Sequence, residues 1–171
     1  MTSLPTEATV VPLLNEKGEI CLARKKQAIH KDGEAITYSL SMYNGYGGKK
    51  EDGDISIFDT AVRELFQESG VVARKEDLIE TLTVHFFIDN QSGERALFMV
   101  VSFFMLTTFS GTPKESDEMG PPIFFSKDAL PYNEMMPADK ILFQKIIKGE
   151  KAEYSVVLQG KGKDPIVTLL A

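Results

Sequence analysis

The residues best placed to do chemistry lie in GGKKEDGDISIFDTAVRELFQESGVV, Gly47 to Val72. Helical spacing over residues 57–69 sets Glu64 and Glu68 four apart, stacked on one face. Gln67 borders that face, while Ala61 and Leu65 point towards a core. Two carboxylates held this close repel each other and resist ionisation unless a cation lies between them. Oxygen clusters of this kind suit Mg2+ or Mn2+. Arg63 can pair with a neighbouring acid and hold it in place. Water activated by such an ion attacks phosphorus, and the ion carries the charge of the leaving phosphate. In the loop ahead of the helix, Gly45, Gly47 and Gly48 allow close backbone approach to a ligand. Lys49 and Lys50 add positive charge, so the loop is a candidate phosphate site. Taken singly, acids on an amphipathic helix form its solvated face and a glycine loop is a turn. The ordered combination carries the functional reading.

These residues need elements to hold them. Ser56 caps the helix with Asp59 three residues on, near to a capping box, and Gly70 stops it. Thr9–Leu14 and Glu19–Arg24 read as strands joined by the turn NEKG. Residues 25–35 read as a loop and Ile36–Tyr43 as a strand. The runs Leu78–Ile88 and Arg95–Thr108 form a hairpin around DNQSGE. Pro122–Ser126 is a short strand and Ala138–Lys148 a helix ending at Gly149. Glu153–Gln159 and Pro165–Leu170 form a closing hairpin around GKGKD. Strands mixed with two helices give an α/β (α+β) domain with a mixed sheet.

A chain of 171 residues is long enough for one self-supporting domain, expected to span residues 1–171. Its net charge of −6 argues against nucleic acid as a partner. A nucleotide remains compatible, because a metal ion supplies positive charge. The single cysteine, Cys21, excludes an internal disulfide and reads as core. The N-terminus lacks the pattern of a signal peptide. The longest apolar run, Leu97 to Leu106, is too short to cross a bilayer as a helix. A cytoplasmic protein with no membrane partner is expected; oligomeric state is left open. His85 reads as a satisfied core histidine, His30 as a loop residue, and Phe86, Phe98, Phe103 and Phe104 as mainly core, with one or two of them able to line a pocket. Met99 and Met135 read as packing, and Lys161 and Lys163 as a solvated turn.

The opening stretch resembles the Nudix box, G-x5-E-x7-R-E-U-x-E-E-x-G-U, with U a bulky aliphatic residue. Gly48 matches its first glycine, Arg63-Glu64-Leu65 its R-E-U, and Glu68, Gly70 and Val71 its end. The resemblance implies the Nudix fold, an α/β/α sandwich around a mixed β-sheet, and Mg2+-dependent hydrolysis of a nucleoside diphosphate linked to another group. Mn2+ is a possible substitute. Three positions depart from the pattern. Asp54 replaces the first glutamate, the spacer from Asp54 to Arg63 is one residue longer, and Gln67 replaces the first glutamate of the E-E pair.

YNGYGGK, GTPKESDEMGPPIFF and PYNEMMPADK are similar to the oxidised purine nucleoside triphosphate hydrolase branch. That similarity implies a substrate set of Asn44, Lys25, Asp139, Met136, Gly47 and Lys49. Asn44 matches a base-contacting asparagine, Lys25 a lysine near the substrate, and Asp139 the second of two purine-reading aspartates. Ala138 replaces the first aspartate, and Met136 a tryptophan that stacks on the base. It also implies a metal set of Gly48, Glu64, Glu68, Glu118 and the neighbouring Gln67, with Arg63, Glu64, Glu68 and Glu118 catalytic. Glu118 joins that site from a loop, as ligand or base. The expected reaction releases a nucleoside monophosphate and pyrophosphate. Two alternatives fit the departures: hydrolysis of a nucleotide sugar, dinucleotide or RNA 5′ end, and nucleotide binding with little turnover.

Overall fold

The computed structural model describes residues 4–27, 29–31, 34–36, 40–89, 92–160 and 162–171. The strands are β1 (Thr6–Val10), β2 (Leu13–Leu14), β3 (Glu19–Arg24), β4 (Ile29–Lys31), β5 (Glu34–Ile36), β6 (Tyr43–Asn44), β7 (Leu78–Asp89), β8 (Arg95–Leu106), β9 (Ile123–Ser126), β10 (Ala152–Leu158) and β11 (Ile166–Leu169). The helices are α1 (Ile57–Ser69) and α2 (Pro137–Ile147).

Among the described residues, nine strands form one mixed sheet, ordered β11-β10-β7-β8-β2-β3-β6, with β1 on β8 and β9 on β3. β1 runs parallel to β8 and β10 parallel to β7, while β7 and β8 are antiparallel. The predicted strand Thr9–Leu14 divides at Val11-Pro12, where proline has no N–H to give to a ladder. The pairing nevertheless resumes unshifted: Val10 faces Phe103 and Leu13 faces Leu106.

Strand alternation in β8 places the sheet between two helical layers. Val101, Phe103 and Met105 join Leu142, Phe143 and Ile146 of α2 in one core cluster. Phe104 and Leu106 join Ala61 and Leu65 of α1 in the other. This is the α+β sandwich expected from the sequence. Cys21 is fully buried in the second cluster. Burial pushes its thiol up to about 11, against a weaker opposing contact with Tyr46, so its environment is that of packing.

The sequence expectation fails around residues 25–43. Ile29–Lys31 and Glu34–Ile36 pair as an antiparallel hairpin inside the expected loop. The expected strand Ile36–Tyr43 is a turn at Leu40 and Ser41, with only Tyr43–Asn44 pairing against β3; residues 37–39 lie outside the described residues. The pattern alternates there, but Ser41 has a φ of 61°, which a continuing strand cannot contain. The side chain of His30 and the whole of Lys161 also lie outside the described residues. His85 is not core: its side chain is 29% exposed and Nε2 lies 3.7 Å from Glu153 Oε2.

Candidate active site

Helix α1 carries the acids, and its start is fixed locally. Ser56 Oγ accepts from the Asp59 N–H at 3.4 Å, and Asp59 Oδ2 accepts from the Ser56 N–H at 2.8 Å, a complete capping box. The Gly70 N–H closes the other end on the Phe66 carbonyl. One face of the helix packs Ala61 and Leu65 into the core. On the neighbouring face Glu64 and Glu68 are themselves buried, at 8% and 4% exposure.

The glycine loop is built against those two carboxylates. The Gly47 N–H donates to Glu68 Oε2 at 3.0 Å. A Cβ on Gly47 would overlap the carbonyl oxygen of Thr9. A Cβ on Gly48 would lie 2.5 Å from Glu64 Cδ and 2.7 Å from both its oxygens. Glycine is therefore required at both positions by close approach. The Gly48 carbonyl accepts from the Thr9 N–H at 2.9 Å, which leaves it one lone pair.

Arg63 organises the acids. Its Nε and Nη2 donate to Asp54 Oδ1 and Oδ2 at 3.0 and 2.7 Å, and its Nη1 donates to Glu64 Oε1 at 2.8 Å. It also reaches the Lys49 carbonyl and, at 3.2 Å, Gln67 Oε1. The fork on Asp54 absorbs both the shorter acid and the longer spacer. Its hydrogen bonds hold Asp54 well below the usual carboxylate range.

Glu118 arrives from the loop before β9. One carboxylate oxygen from each of Glu64, Glu68 and Glu118 lies within 4.8 Å of the others. Burial raises Glu68 to about 7, opposed by the Gly47 N–H and the Lys25 charge and reinforced by Glu64 and Glu118. Burial also raises Glu64, against the pull of Arg63. Three mutually repelling oxygen donors, only partly compensated by Arg63, Lys25 and the Gly47 N–H, fit a hard divalent cation. Gln67 is exposed, meets Arg63, and does not line the cavity these acids face.

That cavity has a volume of about 380 Å³. It brings together every residue expected to touch substrate: Asn44, Lys25, Asp139, Met136, Gly47 and Lys49. Asn44 Oδ1 accepts from the Gly45 N–H at 2.8 Å, which leaves its NH2 group as a donor. Asp139 sits in the first turn of α2, 6% exposed, with the buried Ala138 beside it. Burial raises the Asp139 carboxyl to about 7, opposed only by the Lys25 charge.

Sequence reasoning missed several walls of this cavity. Thr9 lines it, and its buried Oγ1 has no hydrogen-bond partner among the described residues. Phe86, Phe98, Met99 and Phe103 also line it. Phe86 pairs with Met99 but Phe87 pairs with Leu97, so Phe98 is an extra residue in β8. This bulge lets the consecutive Phe98 and Met99 face one cavity, which regular alternation forbids. The Phe86 and Phe98 rings lie 6.4 Å apart at 58°. Periodicity carries no signal for such an insertion.

A mixed sheet between two helices, with buried acids on one helix set against a glycine loop, defines a class of hydrolase acting on phosphoric anhydrides. Residues 4–146 match the NUDIX domain. The chain belongs to the Nudix family. It is 30% identical over 155 residues to the oxidized purine nucleoside triphosphate hydrolase of Danio rerio, covering 91% of this chain and 87% of the relative. It is 32% identical over 114 residues to the Mus musculus protein of the same name, covering 67% and 68%. Its fold superposes on the MutT protein of Bacillus halodurans with a TM-score of 0.76 at 19% identity, covering 96% of this chain and 97% of that one.

Proposed function

We propose that the chain is a divalent-metal-dependent nucleoside triphosphate pyrophosphohydrolase, with oxidised purine nucleotides such as 8-oxo-dGTP among its substrates. The observation that carries this reading is the shared cavity, which joins the three-carboxylate cluster to an aromatic wall and to the Thr9 hydroxyl, unpartnered among the described residues. Glu64, Glu68, Glu118 and the free lone pair of the Gly48 carbonyl would hold Mg2+, or Mn2+ in its place. Gln67 is not among these donors: it shares Arg63 with Glu64 from outside the cavity. Once bound, the ion activates water and neutralises phosphate charge.

The protein's own residues do the rest. Arg63 orients Glu64, and the Gly47 N–H orients Glu68. Lys25 and Lys49 place positive charge beside the phosphates. Water adds to one phosphorus, the anhydride P–O bond breaks, and pyrophosphate leaves. The proton from water passes to a carboxylate of the cluster. The Asn44 amide, the Thr9 hydroxyl and the Asp139 carboxyl face the edge of the base. Phe86, Phe98 and Met136 cover its ring, standing in for an indole. Both core clusters share one sheet, which supports reading residues 1–171 as one domain. A cytoplasmic setting is supported by the lone buried thiol of Cys21.

Hydrolysis of 8-oxo-dGTP, dGTP, dATP and their ribose forms with Mg2+ tests the reading. Pyrophosphate release by wild type, lost in Glu68→Gln, is expected; equal turnover by the two proteins overturns it. Ala138 and Met136 favour a second reading, because they remove a base-reading carboxylate and an indole. In that reading the substrate is another nucleoside diphosphate derivative, and turnover occurs without pyrophosphate release.

A further inference from the structure

Glu118 differs from the other two acids of the cluster. It is exposed and comes from a loop, so no helix fixes its place. The loop is tied to the end of β3 at several points. The Gly120 N–H donates to the Arg24 carbonyl at 2.8 Å, and Met119 is buried. The Glu118 carbonyl accepts from the Lys26 N–H at 2.9 Å, and the Glu118 N–H donates to Ser116 Oγ at 3.4 Å. Among the described residues, the Lys26 side chain adds to this frame. Lys26 Nζ donates to the Ser116 carbonyl at 2.8 Å and lies 2.7 Å from Glu115 Oε1. Lys26 therefore grips the turn from both its backbone and its ammonium, two residues before Glu118. Its side chain does not line the cavity.

We propose that Lys26 is a positioning residue: its ammonium latches the 115–116 turn and keeps the Glu118 carboxylate in reach of Glu64 and Glu68. The inference rests on the metal-site reading above. Without the latch, Met119 still anchors the loop to the core, but the segment ahead of Glu118 loses its tie to Ser116. That loss loosens a metal donor without altering the nucleotide pocket.

The test is a coupling cycle read by Mn2+ binding to the nucleotide-free protein, using electron paramagnetic resonance, with wild type, Lys26→Met, Glu118→Ala and the double variant. Lys26→Met is expected to weaken Mn2+ about tenfold, the low end for losing a partner that orients a ligand. Lys26→Arg is expected to recover most of that loss. In the Glu118→Ala background Lys26→Met is expected to cost nothing further, because its route to the metal is gone. In turnover, Lys26→Met is expected to lower kcat and leave KM for nucleotide unchanged. An unchanged Mn2+ affinity in Lys26→Met, or an equal loss with and without Glu118, overturns the latch. If Glu118→Ala itself leaves Mn2+ binding intact, the metal-site reading falls, and the latch with it.

Discussion

Asp139 gives the sharpest quantitative expectation. Asp139 is 6% exposed in the first turn of α2, and the Lys25 charge favours its ionised form. Burial lifts it from an ordinary 3.8 to about 7. An acid raised on folding binds a proton more tightly in the folded chain than in the unfolded one. Folding is therefore opposed by ionisation, and stability falls as pH rises through that window. The shift amounts to about 4 kcal/mol, a ceiling reached only above neutral pH, at roughly 1.4 kcal/mol per pH unit. Asp139→Asn keeps the shape and removes the titration. Urea unfolding of both proteins from pH 4 to pH 8 is the assay. Contributions common to the two cancel in the difference. The variant should gain on wild type steadily from pH 4 to about pH 7, then level off. A difference that stays flat over the whole range refutes the reasoning and places Asp139 in a wetter or better-paired setting than its burial implies.

The remaining expectations concern the acid cluster. Gly48→Ala forces a methyl into the Glu64 carboxylate; Mg2+-dependent turnover should fall by about 100-fold, the scale of a displacement of about 1 Å in a catalytic group, measured beside an unchanged circular dichroism spectrum. Arg63→Lys keeps the charge but loses the fork on Asp54 and the simultaneous reach to Glu64; kcat should fall by at least about tenfold, since bidentate geometry does not survive that exchange. Gln67→Glu adds a carboxylate that competes for Arg63; the Mg2+ concentration for half-maximal rate should drop by about threefold, on the scale of an exposed charge interaction. An unchanged Mg2+ requirement would set Gln67 outside the working cluster.

How much was legible depended on how local each cause was. Helix α1 was read to the residue, because the Ser56–Asp59 box and Gly70 lie within its own sequence. The acids, the glycine loop and Asn44 were legible as a motif, and the cavity gathers them. The division at Pro12 hid inside an apolar run because its neighbours still pair in register. The turn at Ser41 hid inside an alternating one. The aromatic wall was legible only in part, for a different reason. Phe98 faces the cavity only because β8 carries one more residue than β7 at that point, and a register slip is a property of two strands together.

The position of Thr9 has a further consequence. Its N–H holds the Gly48 carbonyl, its own carbonyl bears on Gly47, and its hydroxyl lines the cavity near groups that would meet a base. A single residue of β1 thus serves as a fixed gauge between the acid cluster and the aromatic wall. The span from acid cluster to base wall cannot stretch without dragging β1 against β8. Selection for a longer or shorter substrate would then have to act on the loops around this gauge, and a change at Thr9 would shift metal requirement and base preference together.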